Sequence, residues 1–138
     1  MKLSLTHFGT DRPDAPYIVL IHGMGSAATA WKLLTPFLQD RFNVITVDLP
    51  GHGQTPLISD QPMDPNSLGN LVVKEVENQF GVSEFHLVGN SWGGWIVLEM
   101  AASFPKQIKS VTALAPAGFW LASYVQRSPG TSSLRMQR

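Results

Sequence analysis

Cysteine is absent from the 138 residues, which removes both a disulfide framework and a thiolate nucleophile from consideration. The composition suits a reducing compartment, and a cytoplasmic location is the expectation. Charge is scarce at 14%, and ten Lys plus Arg balance ten Asp plus Glu. With no basic cluster, the footprint needed to hold a polyanionic backbone is missing, so nucleic acid is not an expected partner. Long apolar runs are also missing. The longest, Tyr17 to Ile21, is far short of the roughly 20 residues a membrane span needs, and no membrane span is expected. The start, from Met1-Lys2 to Phe8, holds no apolar run of signal-peptide length, so no export signal is expected either.

Apolar material is nevertheless ample, at 43% hydrophobic residues. That is enough for the core of one compact domain. Tyr17 to Ile21 reads as a strand buried on both faces. From Ala27 to Gln39 the positions Trp31, Leu34, Phe37 and Leu38 recur at helical spacing, with Ser26 as N-cap and Pro36 as the cause of a kink. Phe42 to Val47 is a second strand. A proline-rich loop from Gln54 to Ser67 leads to an amphipathic helix over Leu68, Leu71, Val72, Val76 and Phe80, closed near Gly81. Phe85 to Val88 is a third strand. The helix after it, with Ile96, Val97, Met100, Ala101 and Phe104, stops at Pro105, and Ile108 to Leu114 is a fourth strand. Strands joined by helices cannot be tight hairpins, so the expected class is α/β, a mostly parallel sheet with crossover helices. Lys2 to Phe8 is placed as an antiparallel edge strand.

Three segments carry chemistry. Gly89-Asn90-Ser91-Trp92-Gly93 fits G-x-S-x-G between a hydrophobic strand and a helix. A serine there sits on a sharp, strained turn, and glycines on either side let neighbouring backbones approach. Ser91 is the candidate nucleophile. The helix that starts beside it aims unpaired amides at developing negative charge, which makes the Trp92 amide an oxyanion donor. His22-Gly23-Met24-Gly25-Ser26 follows the first strand at the sheet's carboxyl edge, where Met24 can offer a second backbone donor. His22 is expected to brace that loop by hydrogen bonds rather than to act as a base. In Asp48-Leu49-Pro50-Gly51-His52-Gly53, Asp48 and His52 are expected to shape a loop on the same edge. His7 and His86 read as ordinary surface or satisfied core residues. The acidic residues and histidines show no metal-ligand spacing, and no cofactor is expected.

In their order and spacing these three segments resemble the amino-terminal half of an α/β-hydrolase fold protein, over about residues 1–118. The G-N-S-x-G-G elbow is similar to that of hydrolases that break carbon–carbon bonds in ring-cleavage products, and also to that of esterase-like members. It does not fix the substrate. The resemblance implies a triad running Ser, then Asp or Glu, then His along the chain. Beyond Ser91 the sequence has one acidic residue, Glu99, and no histidine. The expectation is therefore a partial α/β-hydrolase fold carrying a truncated serine hydrolase for an ester or related carbonyl substrate. Two alternatives stand beside it. One is a non-catalytic module that binds a small acyl or ester-like molecule. The other is half of a split hydrolase, completed by a complementing chain or by self-association through an unfinished sheet edge. Residues 119–138 are expected to be the start of a cap segment or a disordered tail.

Overall fold

In the computed structural model, residues 3–9 and 12–119 are described. Of the expected cap segment or tail, 119–138, all but Phe119 lies outside them. Five strands form one sheet in the order β1-β3-β2-β4-β5: β1 Ser4–Phe8, β2 Tyr17–Ile21, β3 Asn43–Asp48, β4 Phe85–Asn90 and β5 Ile108–Leu114. The edge strand β1 runs antiparallel to β3, and the other pairs are parallel. This is the mostly parallel α/β sheet expected from the alternation of strand and helix patterns.

The continuous apolar run of β2 is explained by its central place, because each face needs its own apolar set. Val19 and Ile21 join Ile45, Val47, Leu87, Ile96, Val97 and Met100 in the larger core. That core fills the space beneath α2, Pro65–Phe80, and α3, Trp92–Ser103. Ile18 and Leu20 turn the other way, onto Val44, Val88 and Trp31. Asp64 caps α2 by accepting a bond from the Ser67 amide at 2.9 Å, Pro65 occupies its first turn, and Gly81 ends it in a left-handed conformation at φ 67°. The helix therefore starts earlier than its apolar spacing indicated, at the proline that sequence reading assigned to a loop.

The segment read as one kinked helix is more broken than that. It forms a 3-10 turn, Ala28–Trp31, and a single turn, α1, Thr35–Leu38, with Pro36 in its opening turn. Ser26 is not the N-cap. That position falls to Ala27, which makes no side-chain cap bond, and the Ala28 amide instead donates to Asp48 Oδ1 at 2.7 Å. A carboxylate from the end of β3 does what a local hydroxyl was expected to do.

Candidate active site

Ser91 lies between the end of β4 and the first turn of α3, at φ 55° and ψ −112°. A non-glycine residue at positive φ in that region is strained, and such strain persists only where surrounding contacts fix it. Here they do. The Ser91 amide donates to Leu114 O at 2.9 Å, and Ser91 O accepts from the amides of Trp95 and Ala117 at 3.2 and 2.9 Å. The side chain stands at the carboxyl edge of the sheet and is exposed.

Close approach explains the flanking glycines. A Cβ on Gly89 would sit 2.2 Å from Gly93 O, and one on Gly93 would sit 2.2 Å from Ile21 O. Both distances are far inside van der Waals contact. The turn thus brings α3 onto the ends of β2 and β4, which places Ser91 beside the loop leaving β2. A Cβ built on Gly23 would lie 3.4 Å from Ser91 Cβ and 3.4 Å from Asn90 O. The Gly23 backbone and Ser91 are therefore neighbours, with space for about a methyl group between them. Trp92 opens α3, so its amide has no partner one turn earlier. Among the described residues neither the Met24 nor the Trp92 amide donates to a turn, loop or cap acceptor.

Both histidines of the neighbouring loops have their ring nitrogens engaged. His22 is fully buried. Its Nε2 faces the Leu49 amide at 3.1 Å and its Nδ1 faces Gly23 O at 2.7 Å. An amide can only donate, so Nε2 is the acceptor and Nδ1 carries the proton. Burial pushes its pKa below 6.5, and the bond to the Gly23 carbonyl opposes that shift. The nearby His52 lowers it further, and Asp48 opposes. His52 is engaged in the same way, with Gly25 N–H donating to Nε2 at 3.0 Å and Nδ1–H donating to Pro50 O at 2.9 Å. With both acceptor nitrogens occupied, neither ring is set to take a proton from Ser91. Glu99 lies on α3, where its Oε1 accepts from Trp95 Nε1 at 3.1 Å.

Asp48 draws the two loops together. It is 6% exposed, with Oδ1 on the Ala28 amide and Oδ2 on the Gln54 amide at 3.0 Å. Gly53 permits this, because a Cβ there would overlap the Asp48 carboxylate at 2.2 Å. A loop-shaping role for Asp48 and His52 is legible in the sequence, but these partners are not. The only local signal was an acidic residue ending a buried strand just before Leu49-Pro50-Gly51. His7 and His86 pair with Asn43 Oδ1 and Ser110 Oγ at 3.1 and 2.6 Å, away from this cluster.

A family model for the alpha/beta hydrolase fold matches residues 16–134. The chain is 36% identical over 99 residues to a pimeloyl-[acyl-carrier protein] methyl ester esterase of Methylococcus capsulatus, covering 72% of this chain and 36% of that protein. Among solved structures, the 2-hydroxy-6-oxo-6-phenylhexa-2,4-dienoate hydrolase of Rhodococcus sp. strain RHA1 superposes with a TM-score of 0.73 at 28% identity, covering 87% of this chain and 44% of that one. A monoacylglycerol lipase of Paleococcus ferrophilus gives a TM-score of 0.70 at 28% identity, covering 85% and 44%. The chain thus spans less than half the length of each of these proteins. A positive-φ serine between strand and helix, a glycine loop beside it and a matching family model together establish that this chain belongs to the alpha/beta hydrolase fold family.

Proposed function

We propose that this chain carries the nucleophile half of an ester hydrolase site, with Ser91 as the nucleophile and the amides of Met24 and Trp92 as the oxyanion donors. One observation carries the reading. An exposed serine is held at φ 55° on a turn whose flanking glycines leave no room for a Cβ, and the Met24 and Trp92 amides donate to no turn, loop or cap acceptor among the described residues. Ser91 Oγ attacks the carbonyl carbon, and its proton leaves to a base. The negative charge that develops on the carbonyl oxygen is held by the two amides, and the alkoxide leaves with a proton. Water then hydrolyses the acyl-serine. Ester substrates are supported by the names of relatives, one for a methyl ester and one for a monoacylglycerol.

In this reading the triad acid and histidine belong to polypeptide outside the 138 residues. The occupied acceptor nitrogens of His22 and His52 support that view. Residues 1–118 form the partial core in this reading. A positioned base typically contributes about 10²–10⁴-fold, so the chain alone is a slow hydrolase. The test is p-nitrophenyl butyrate turnover by the chain and by Ser91→Ala, each with and without added imidazole as a replacement base. Turnover above the Ser91→Ala background that rises with imidazole is expected. If wild type and Ser91→Ala stay identical with imidazole present, Ser91 is no nucleophile and a non-catalytic cleft remains. Strong Ser91-dependent turnover without imidazole would overturn the external-base assignment.

A further inference from the structure

Met24 and Gly25 form an exposed loop tip, with Met24 70% exposed and no atom within 4 Å of a Cβ built on Gly25. Packing therefore does not hold the tip in place. Two hydrogen bonds do: Ser26 N–H to Gly23 O at 3.1 Å closes the turn on itself, and Gly25 N–H to His52 Nε2 at 3.0 Å ties it to the rest of the molecule. His52 is in turn fixed by Nδ1–H to Pro50 O at 2.9 Å, and its ring lies between those of Trp92 and His22, with centroids 5.9 and 5.1 Å away. One imidazole thus touches all three chemistry-bearing segments, and the amide it grips is adjacent in sequence to the Met24 donor.

We propose that His52 is the positioning residue of this loop: its neutral Nε2 holds the Gly25 amide, and with it the Met24 amide, in register with Ser91. The proposal rests on the ester-hydrolase reading only for its catalytic consequence. The chemistry makes the hold conditional. Protonation puts a hydrogen on Nε2, so two donors face each other and the bond to Gly25 is lost. The titratable groups around the ring are His22, itself neutral with both nitrogens bonded, and Asp48, whose two carboxylate oxygens are occupied by the amides of Ala28 and Gln54. Among the described residues no carboxylate pairs with the His52 ring to hold its charged form in place. A protonated ring keeps its Nδ1–H bond to Pro50 O but has no acceptor left for the Gly25 amide.

The test uses the 15N-labelled chain and two substitutions. His52→Gln retains an acceptor that can reach the Gly25 amide, whereas His52→Phe keeps a ring against Trp92 and has no acceptor. In the wild type the Gly25 amide resonance is expected to titrate with the same midpoint as the His52 ring. Its hydrogen exchange is expected to speed up roughly fivefold or more in His52→Phe, in line with one lost hydrogen bond, and to stay slow and without titration in His52→Gln. In the imidazole-supported ester assay, His52→Phe should lower kcat roughly tenfold with KM little changed, and His52→Gln should recover most of it. A Gly25 amide that does not follow the His52 midpoint overturns the proposal, and this holds even if His52→Phe fails to fold. Equal Gly25 exchange in wild type and His52→Phe also overturns it. Both readings are independent of turnover, so absence of Ser91-dependent hydrolysis would sink the functional reading and leave the loop assignment standing.

Discussion

Replacing Gly93 by alanine places a Cβ 2.2 Å from Ile21 O and 2.6 Å from His22 O. An sp³ carbon meets a carbonyl oxygen at about 3.3–3.6 Å, so roughly 1 Å must be found. Both oxygens belong to backbone at the end of β2, which is held between β3 and β4 by parallel ladders. No side chain can rotate away, and α3 has to move instead, taking Ser91 and the Trp92 amide with it. Overpacking typically costs 1–3 kcal/mol, and a clash confined to main chain falls at about 3 kcal/mol or above. Gly81→Ala is the matched control. It has φ 67° and nothing within 4 Å of its Cβ, so only the left-handed conformation is penalised, at about 1 kcal/mol. For a chain of this size 1 kcal/mol shifts the melting temperature by roughly 3–5 °C. Thermal unfolding followed by circular dichroism is expected to show a fall of about 10 °C or more for Gly93→Ala and about 4 °C for Gly81→Ala. Equal shifts, or a Gly93→Ala protein as stable as wild type, would refute the claim that α3 rests directly on the β2 backbone.

Two further outcomes follow from the titrating groups. His22 is buried neutral with its pKa pushed below 6.5, so the unfolded chain binds its proton more readily than the native one. Its contribution is complete above pH 6.5 and is lost as pH falls from there toward the lowered native value. Urea midpoints should accordingly put His22→Gln well below wild type at pH 8, with the gap narrowing at pH 5, and a gap constant across that range would contradict the neutral, doubly bonded ring. Asp64 has its pKa drawn below 3.8 by its bonds to Ser67. Its cap therefore stabilises above that value and is lost as pH falls through the lowered one, and Asp64→Ala should cost about 1 kcal/mol at neutral pH and almost nothing under strong acid, as read from denaturant unfolding.

Local patterns in the sequence were sufficient to place β2 at Tyr17–Ile21 and β5 at Ile108–Leu114, to end α2 at Gly81, and to put Ser91 on a strand-to-helix turn. Each of these rests on residues within a few positions of one another: an apolar run, a left-handed cap, glycines two places either side of a serine. What failed was also local in form. Ser26 was expected to cap the following helix because it stood in the right place, yet the Ala28 amide goes to Asp48, 20 residues away in sequence. The helix read through Pro36 breaks into two short turns because its few apolar side chains, such as Trp31, can dock on the second sheet face without a continuous helix.

The roles of buried polar residues were set by tertiary structure alone. Asn43 is fully buried, donating to Arg12 O and Ala15 O and accepting from the Arg12 amide. Glu75, on the buried side of α2, accepts from the Leu3 amide and from Gln79. In sequence these are one polar residue at a strand end and one acid on a helix. The same holds for His22 and His52, whose chemistry depends on which amides arrive at Nε2, from Leu49 and Gly25, each 27 residues away. Periodicity and turn chemistry act over one or two turns of chain and can be read in order. A hydrogen bond between loops depends on where the sheet brings distant segments together, and that is decided only when strands β2, β3 and β4 are side by side.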